Sequence, residues 1–197
     1  MDAWSSASRR RSGGTQFVVL AGLAGAGKTE LLRTLPSAID LEALASHRGS
    51  TFGGIGMPPQ PTQADFDTAV RSGLLHDGRV VVEDEGTFVG SLTVPPEVCR
   101  AIETTPVVEV VAPFDARVAR LTREYGPLDR RSLIRATQRI RARLGGPVAD
   151  RAISHFAAGR SEAAIAALLP YFDAAYRHRW ARLDRPVAER VLASCSR

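Results

Sequence analysis

The chain has 197 residues, with 26 lysines and arginines against 21 aspartates and glutamates, a net charge of +5 and a sequence pI of about 10.0. That length suits one α/β domain with a helical addition, and the charge favours an anionic partner without separating a nucleic acid from a small phosphorylated substrate. No apolar run is long enough to span a membrane, and Cys99 and Cys195 stand far apart outside any metal-spaced or C-x-x-C motif, so a membrane protein, a disulfide scaffold and a zinc module are not expected. Both thiols are expected to be reduced, in a cytoplasmic protein. Residues 1–15 are rich in Ser, Arg and Gly and lack an apolar core. They are expected to form a disordered basic tail rather than a signal peptide.

The apolar run 17–21 predicts the first strand. It leads into Gly22-Leu23-Ala24-Gly25-Ala26-Gly27-Lys28-Thr29, which fits G-x-x-x-x-G-K-[ST]. Glycines at this spacing let backbone N–H groups curl around phosphate oxygens, so Gly22, Gly25, Ala26, Gly27, Lys28 and Thr29 are the expected phosphate-binding residues. Lys28 is the single lysine of the chain, which marks a position that needs a slim cation rather than a planar guanidinium. Thr29 is expected to ligate Mg²⁺.

A helix is predicted to about residue 35, where Pro36 stops it. The segment 38–42 carries Asp40 and Glu42. Residues 47–61 form a long loop rich in Gly and Pro, of the kind that is usually functional or disordered. Within it His47 can shuttle a proton and Arg48 can stabilise phosphate charge. A helix follows over about 63–75. The run Arg79-Val80-Val81-Val82 predicts a buried parallel strand ending in Glu83-Asp84-Glu85. A carboxylate at the C-terminal edge of such a strand faces the ligand crevice and can hold Mg²⁺. Asp84 is the first choice for the metal, with Glu83 or Glu85 left for proton handling or arginine pairing. Another strand is predicted over 106–112.

From residue 115 the chain reads as wholly helical, over about 115–124, 130–144, 147–157 and 161–182. Arg131, Arg135, Arg139 and Arg143 recur every four residues and line one helix stripe, able to follow a phosphate backbone or simply to face solvent. The expected organisation is a P-loop α/β core over 16–114, a parallel sheet flanked by helices; a helical C-terminal part over 115–184; and a loosely held tail over 185–197.

Four blocks resemble the P-loop part of the tRNA 2-selenouridine synthase family. They are the P-loop with Thr29-Glu30-Leu31-Leu32; Asp40-Leu41-Glu42-Ala43-Leu44-Ala45-Ser46-His47-Arg48-Gly49-Ser50-Thr51-Phe52-Gly53; Pro59-Gln60-Pro61-Thr62-Gln63; and Glu83-Asp84-Glu85. Leu168-Leu169-Pro170-Tyr171-Phe172-Asp173 is a weaker echo. The resemblance implies a tRNA-modifying transferase that converts wobble 2-thiouridine to 2-selenouridine through an S-geranylated intermediate. Geranyl diphosphate and selenophosphate would be its phosphate-bearing ligands, Mg²⁺ its cofactor, and Lys28, Asp40, His47, Arg48 and Glu83 its catalytic residues. The arginine stripe would contact tRNA.

Two departures stand out. The family's rhodanese-like domain has no counterpart in the roughly fifteen residues before the first strand, which suggests a split enzyme with a separate rhodanese-like partner. The family also follows its acidic strand with Ser and Arg, where this chain has Gly86-Thr87-Phe88. The alternatives are a P-loop kinase or nucleotide-dependent transferase that uses ATP on a small metabolite, and a non-catalytic tRNA- or partner-binding module.

Overall fold

The computed structural model describes residues 15–75 and 78–193. Strand β1 (Gln16–Ala21) leads into α1 (Lys28–Leu32), then β2 (Ala38–Ile39) and α2 (Leu41–Leu44). Helix α3 (Gln63–Leu74) returns the chain to β3 (Arg79–Glu83). A short hairpin, β4 (Phe88–Val89) and β5 (Leu92–Thr93), precedes α4 (Pro96–Thr104) and β6 (Val107–Val111). Then come α5 (Phe114–Tyr125), α6 (Arg130–Arg139), α7 (Arg141–Leu144), α8 (Gly146–Ala157), α9 (Ser161–Leu183) and β7 (Val187–Leu192).

The main sheet runs β2-β3-β1-β6-β7 and every pairing in it is parallel. Strand β1 is central, and Val18, Val19, Leu20 and Ala21 are fully buried because helices cover both faces. The chain lays strands to one side of β1 and then to the other. This places the ligand crevice over the C-terminal end of β1, where the P-loop begins.

One apolar cluster, with Val19, Phe66, Val70, Val80, Val82 and Val98, packs one face of the sheet against α3 and α4. A second, with Val18, Leu20, Leu32, Val81 and Val108, packs the other face beneath α1. The helical part builds its own core from Phe52, Leu133, Ala136, Ile140, Phe156 and Leu168. Thr62 and Asp129 cap α3 and α6, accepting from the backbone N–H of Asp65 and Ser132 and so satisfying donors that a helix start leaves free.

Two expectations are corrected, and one region holds elements that had not been expected. The segment beyond Arg185 is no loose tail: Val187–Leu192 adds a fifth strand beside β6. Its apolar pattern is diluted by Glu189 and Arg190, and an edge strand needs less burial than a central one, so it reads weakly in sequence. The stretch 130–144 is not one helix but two, broken at Ile140 (φ −103°, ψ 10°). The region between β3 and β6 holds a hairpin and a helix that sequence reading did not place.

The hairpin explains the Pro-Gln-Pro block. Gln60 Nε2 donates to the Ala45 and Val89 carbonyls, each at 3.0 Å, and its Oε1 accepts from Ser91 N at 2.8 Å and Ser91 Oγ at 3.0 Å. Gln63 exchanges two hydrogen bonds with the Thr93 backbone, both 2.9 Å. The two glutamines therefore tie the hairpin to the end of α2 and the start of α3. Of the expected basic tail over 1–15, all but Thr15 lies outside the described residues, as does Cys195. No helix among the described residues is long and apolar enough to cross a membrane.

Candidate active site

The P-loop leaves β1 at the C-terminal edge of the sheet and enters α1 at Lys28. Gly22 has φ +146°, and a Cβ there would lie 2.3 Å from the Val110 carbonyl oxygen, so only glycine lets the loop pass β6 so closely. Two buried arginines of α5 hold the loop from behind. Arg117 Nε donates to the Ala24 carbonyl at 3.0 Å, and Arg120 donates to the Gly25 carbonyl at 2.7 Å and to Glu30 at 3.0 Å. Turning the Ala24 carbonyl outward points the next N–H the opposite way, into the cradle, because the peptide is planar and trans. Asp173 of α9 grips Arg117 with two bonds, of 3.0 and 2.6 Å.

None of these three residues was expected in the site. Arg117 and Arg120 read as ordinary helix surface, and the available signal was the acid that ends Leu168-Leu169-Pro170-Tyr171-Phe172-Asp173.

Lys28 Nζ donates to the Gly22 carbonyl at 3.1 Å, so the ammonium folds over the loop it follows. It acts on the ionisation of Glu42, Glu83 and Glu85, which places it among three carboxyls. Glu83 is the last residue of β3 and is 3% exposed. Burial pushes its carboxyl up, while Lys28 and a hydrogen bond from Thr29 pull the other way. Its Oε1 has no partner among the described residues.

Asp84 points away from this group. Its Oδ2 accepts from Arg185 at 2.8 Å, from Arg179 at 3.0 Å and from the Tyr176 hydroxyl at 3.1 Å. Successive strand residues face opposite sides of a sheet, so Glu83 turns to the α1 side, where Thr29 lies, and Asp84 to the α9 side. The place expected of Asp84 beside Thr29 is therefore occupied by Glu83. No three His, Cys, Asp or Glu side chains among the described residues form a metal cage. Mg²⁺ needs no such cage, since it commonly takes one or two carboxylates with phosphate oxygens and water. Glu83, with its unpartnered buried oxygen, and Thr29 fit that requirement.

The His-Arg-Gly-Ser loop lies against the same group. Gly49 has φ +66°, and a Cβ there would lie 2.6 Å from Glu85 Oε2 and 2.7 Å from Glu42 Oε1. The two carboxyls thus converge on one glycine, and any side chain would drive into both. Arg48 is held by Glu124 at 2.9 Å and by the Ile55 carbonyl at 3.0 Å, with its guanidinium 5.8 Å from the Tyr125 ring centre. His47 is kept below its usual range by burial and by Arg48, and its buried Nδ1 has no partner among the described residues. Asp40, expected to be catalytic, caps α2 through Ala43 N at 2.9 Å and pairs with Arg33 at 2.9 Å. Arg131, Arg135, Arg139 and Arg143 are all exposed, with Arg143 on a separate helix from the other three. Arg139 reaches back to the Thr51 carbonyl at 3.2 Å.

Burial, followed by the charges of Glu85 and Glu83, raises Glu42 to about 9. An unfolded chain releases that proton near the ordinary value of 4.5. Between those limits the folded state holds a proton that the unfolded state has lost, so stability falls as pH rises through the window. Glu85, raised to about 7 mainly by burial, adds the same sign over a narrower range. Glu42→Gln is expected to flatten this dependence and to make the protein more stable than wild type at pH 8. Urea midpoints at pH 5 and pH 8 check it; equal pH dependence in the two proteins counts against the buried acid.

Beside the P-loop lies an apolar pocket lined in part by Ala24, Leu121, Leu133, Ile165, Leu169 and Phe172. Ser50 and Tyr125 also line it, and their hydroxyls lie 3.4 Å from each other. The P-loop and this pocket meet at Ala24.

A family model described as the tRNA 2-selenouridine synthase AAA domain matches residues 15–143. Among curated proteins, the tRNA 2-selenouridine synthase of Cupriavidus necator is 44% identical over 115 residues, covering 56% of this chain and 31% of that protein. Those of Cupriavidus pinatubonensis and Azotobacter vinelandii are 41% and 39% identical over 114 and 123 residues. These alignments cover 55% and 60% of this chain and 31% and 33% of the two proteins. The matched part of the chain thus spans about a third of the length of these relatives. No solved structure matches the chain.

Proposed function

Because the chain belongs to the tRNA 2-selenouridine synthase family through its P-loop domain, we propose that it carries out group transfer on wobble 2-thiouridine of tRNA. Geranyl diphosphate and selenophosphate are its phosphate-bearing substrates in this reading. The observation that carries it is the apolar pocket meeting the P-loop at Ala24. A diphosphate with a hydrocarbon tail satisfies both halves of that arrangement. A purine would bring ring nitrogens and an amine to a wall of Leu, Ile and Phe side chains, and would leave them unpaired.

Lys28 and the P-loop amides hold the diphosphate. Glu83 and Thr29 would hold Mg²⁺, which would supply charge neutralisation to a diphosphate bound there. Arg48, braced by Glu124, closes the crevice from the His-Arg-Gly-Ser loop. The exposed stripe of Arg131, Arg135, Arg139 and Arg143 offers cations to tRNA phosphates. A separate rhodanese-like protein completes the enzyme, in the cytoplasm.

Titration calorimetry with geranyl diphosphate, inorganic diphosphate and ATP tests the ligand class. Geranyl diphosphate is expected to bind at least tenfold more tightly than inorganic diphosphate, since burying several methylenes contributes about 0.8 kcal/mol each. ATP as the tightest ligand would transfer the proposal to a kinase. Mass spectrometry of tRNA carrying 2-thiouridine, incubated with both substrates with and without a rhodanese-like partner, reads the reaction itself.

A further inference from the structure

A groove of about 320 Å³ lies between α4 and α9 and opens at the turn after β3. Glu85, Thr87, Cys99, Glu103, Arg179 and Arg182 line it. It shares no residue with the apolar pocket beside the P-loop. It meets the His-Arg-Gly-Ser loop at Glu85, which lines the groove and whose Oε2 would lie 2.6 Å from a Cβ at Gly49.

Two arginines and two glutamates stand in this groove. Arg179 pairs with the Asp84 carboxylate at 3.0 Å and donates to the Asp84 carbonyl at 2.7 Å and the Glu85 carbonyl at 3.3 Å, which pins its guanidinium at the end of β3. It still exposes 36% of its side chain and lies 5.6 Å from the Tyr176 ring centre. Arg182 stands three residues further along α9 and is exposed. The turn Gly86-Thr87 carries no cation of its own, so α9 supplies the positive charge at this strand edge. A Cβ at Gly86 would lie 3.9 Å from Arg179, in open contact with the guanidinium.

Phe88 follows the lining residue Thr87 in sequence and is 61% exposed. It is not a residue on a floppy tip. Its hairpin is held by Gln60 at Val89 and Ser91 and by Gln63 at Thr93. A rigidly presented aromatic ring beside a groove with two arginines is the combination that binds unpaired nucleotides. The ring stacks on a base, and the cations take the flanking phosphates. Thr87 and Glu103 add a hydroxyl and an acceptor for the polar edge of a base.

We propose that this groove, with Phe88 next to its lining residue Thr87, receives the unstacked acceptor nucleotide of a single-stranded RNA loop, with flanking phosphates on Arg179 and Arg182. The proposal rests on the RNA-modifying reading above and adds to it a surface that the arginine stripe of α6 and α7 does not provide.

Fluorescence anisotropy with a synthetic anticodon stem-loop carrying 2-thiouridine at the wobble position tests it. Phe88→Ala is expected to weaken binding roughly tenfold, the loss of one stacked base. Arg182→Ala is expected to flatten the log–log salt dependence by about 0.7. Neither change should alter affinity for inorganic diphosphate or the melting temperature. The double variant Arg131→Ala, Arg135→Ala serves as comparator. RNA binding by the wild type that is lowered by the comparator but untouched by Phe88→Ala and Arg182→Ala overturns the groove and leaves the RNA-modifying reading standing. A wild type that binds no RNA, with or without a rhodanese-like partner, overturns both. Photocrosslinking of the 2-thiouridine to the wild-type protein gives a second reading that needs no variant. A crosslink within residues 86–88 or 179–182 supports the groove, and one confined to the α6 stripe overturns it.

Discussion

Lys28→Ala is expected to lower affinity for a diphosphate ligand by roughly a hundredfold or more, the loss seen when one preorganised charged donor leaves a partly desolvated site. The ammonium already lies against the Gly22 carbonyl and among the carboxyls of Glu42, Glu83 and Glu85. Removing it takes away a ligand contact and also a charge that lowers the carboxyls of Glu42, Glu83 and Glu85 against the burial that raises them. Lys28→Arg is expected to rescue little of the loss, since the planar fork is broader than the ammonium it replaces and the loop closes back on that ammonium. Folding should survive in both variants, because α1 is anchored by Leu32 in the core rather than by Lys28. Calorimetric titration of diphosphate together with a thermal melt separates the outcomes. Wild-type affinity in a folded Lys28→Ala protein removes Lys28 from the phosphate site.

Asp84→Ala is expected to cost about 3–5 kcal/mol of folding stability, the penalty for leaving a buried charge without its partner. Arg185 and Asp84 expose 2% and 1% of their side chains. Arg185 also donates to the Ile102 carbonyl, so it cannot turn to solvent without giving up that bond as well. Tyr176 bridges the same carboxylate to the P-loop, donating to Asp84 at 3.1 Å and accepting from Gly22 N at 2.9 Å. Losing Asp84 therefore loosens the turn at Gly22 as well as the join between α9 and β3. Glu83→Gln should behave in the opposite way. It removes a carboxyl held up by burial, so stability is kept or raised, while Mg²⁺ dependence of turnover is weakened. Urea denaturation of both variants, with Mg²⁺ titrations of activity, tests the pair. A stable Asp84→Ala protein that has lost its Mg²⁺ response would restore Asp84 to the metal.

The same two acids show where sequence stops being informative. A run of valines ending in three acids establishes a buried strand pointed at the crevice, because no other element suits so many β-branched residues followed by charge. It does not establish which acid faces which side, since the side-chain period of two has no fixed phase until the strand is docked. The P-loop was legible for the opposite reason. Its glycines, its lysine and its threonine act within eight consecutive residues, so spacing alone carries the geometry. Arg117, Arg120 and Asp173 were not legible, although they hold that loop in shape. Arg117 meets Asp173 across 56 positions and Ala24 across 93. Edge strand β7 was missed because Glu189 and Arg190 interrupt the apolar residues of Val187–Leu192, and the strand gains its place from β6 rather than from its own apolarity.

By itself the sequence determined the fold class, the P-loop and the family blocks, all of which rest on local spacing and hydrophobic pattern. The tertiary structure alone decided the partner of each charge. It assigned Asp84 to Arg185 and Glu83 to Thr29, closed Glu42 and Glu85 around Gly49, and put an apolar pocket beside the P-loop. A side chain's chemistry is fixed by its residue type, but its charge state and its role depend on which distant groups share its burial.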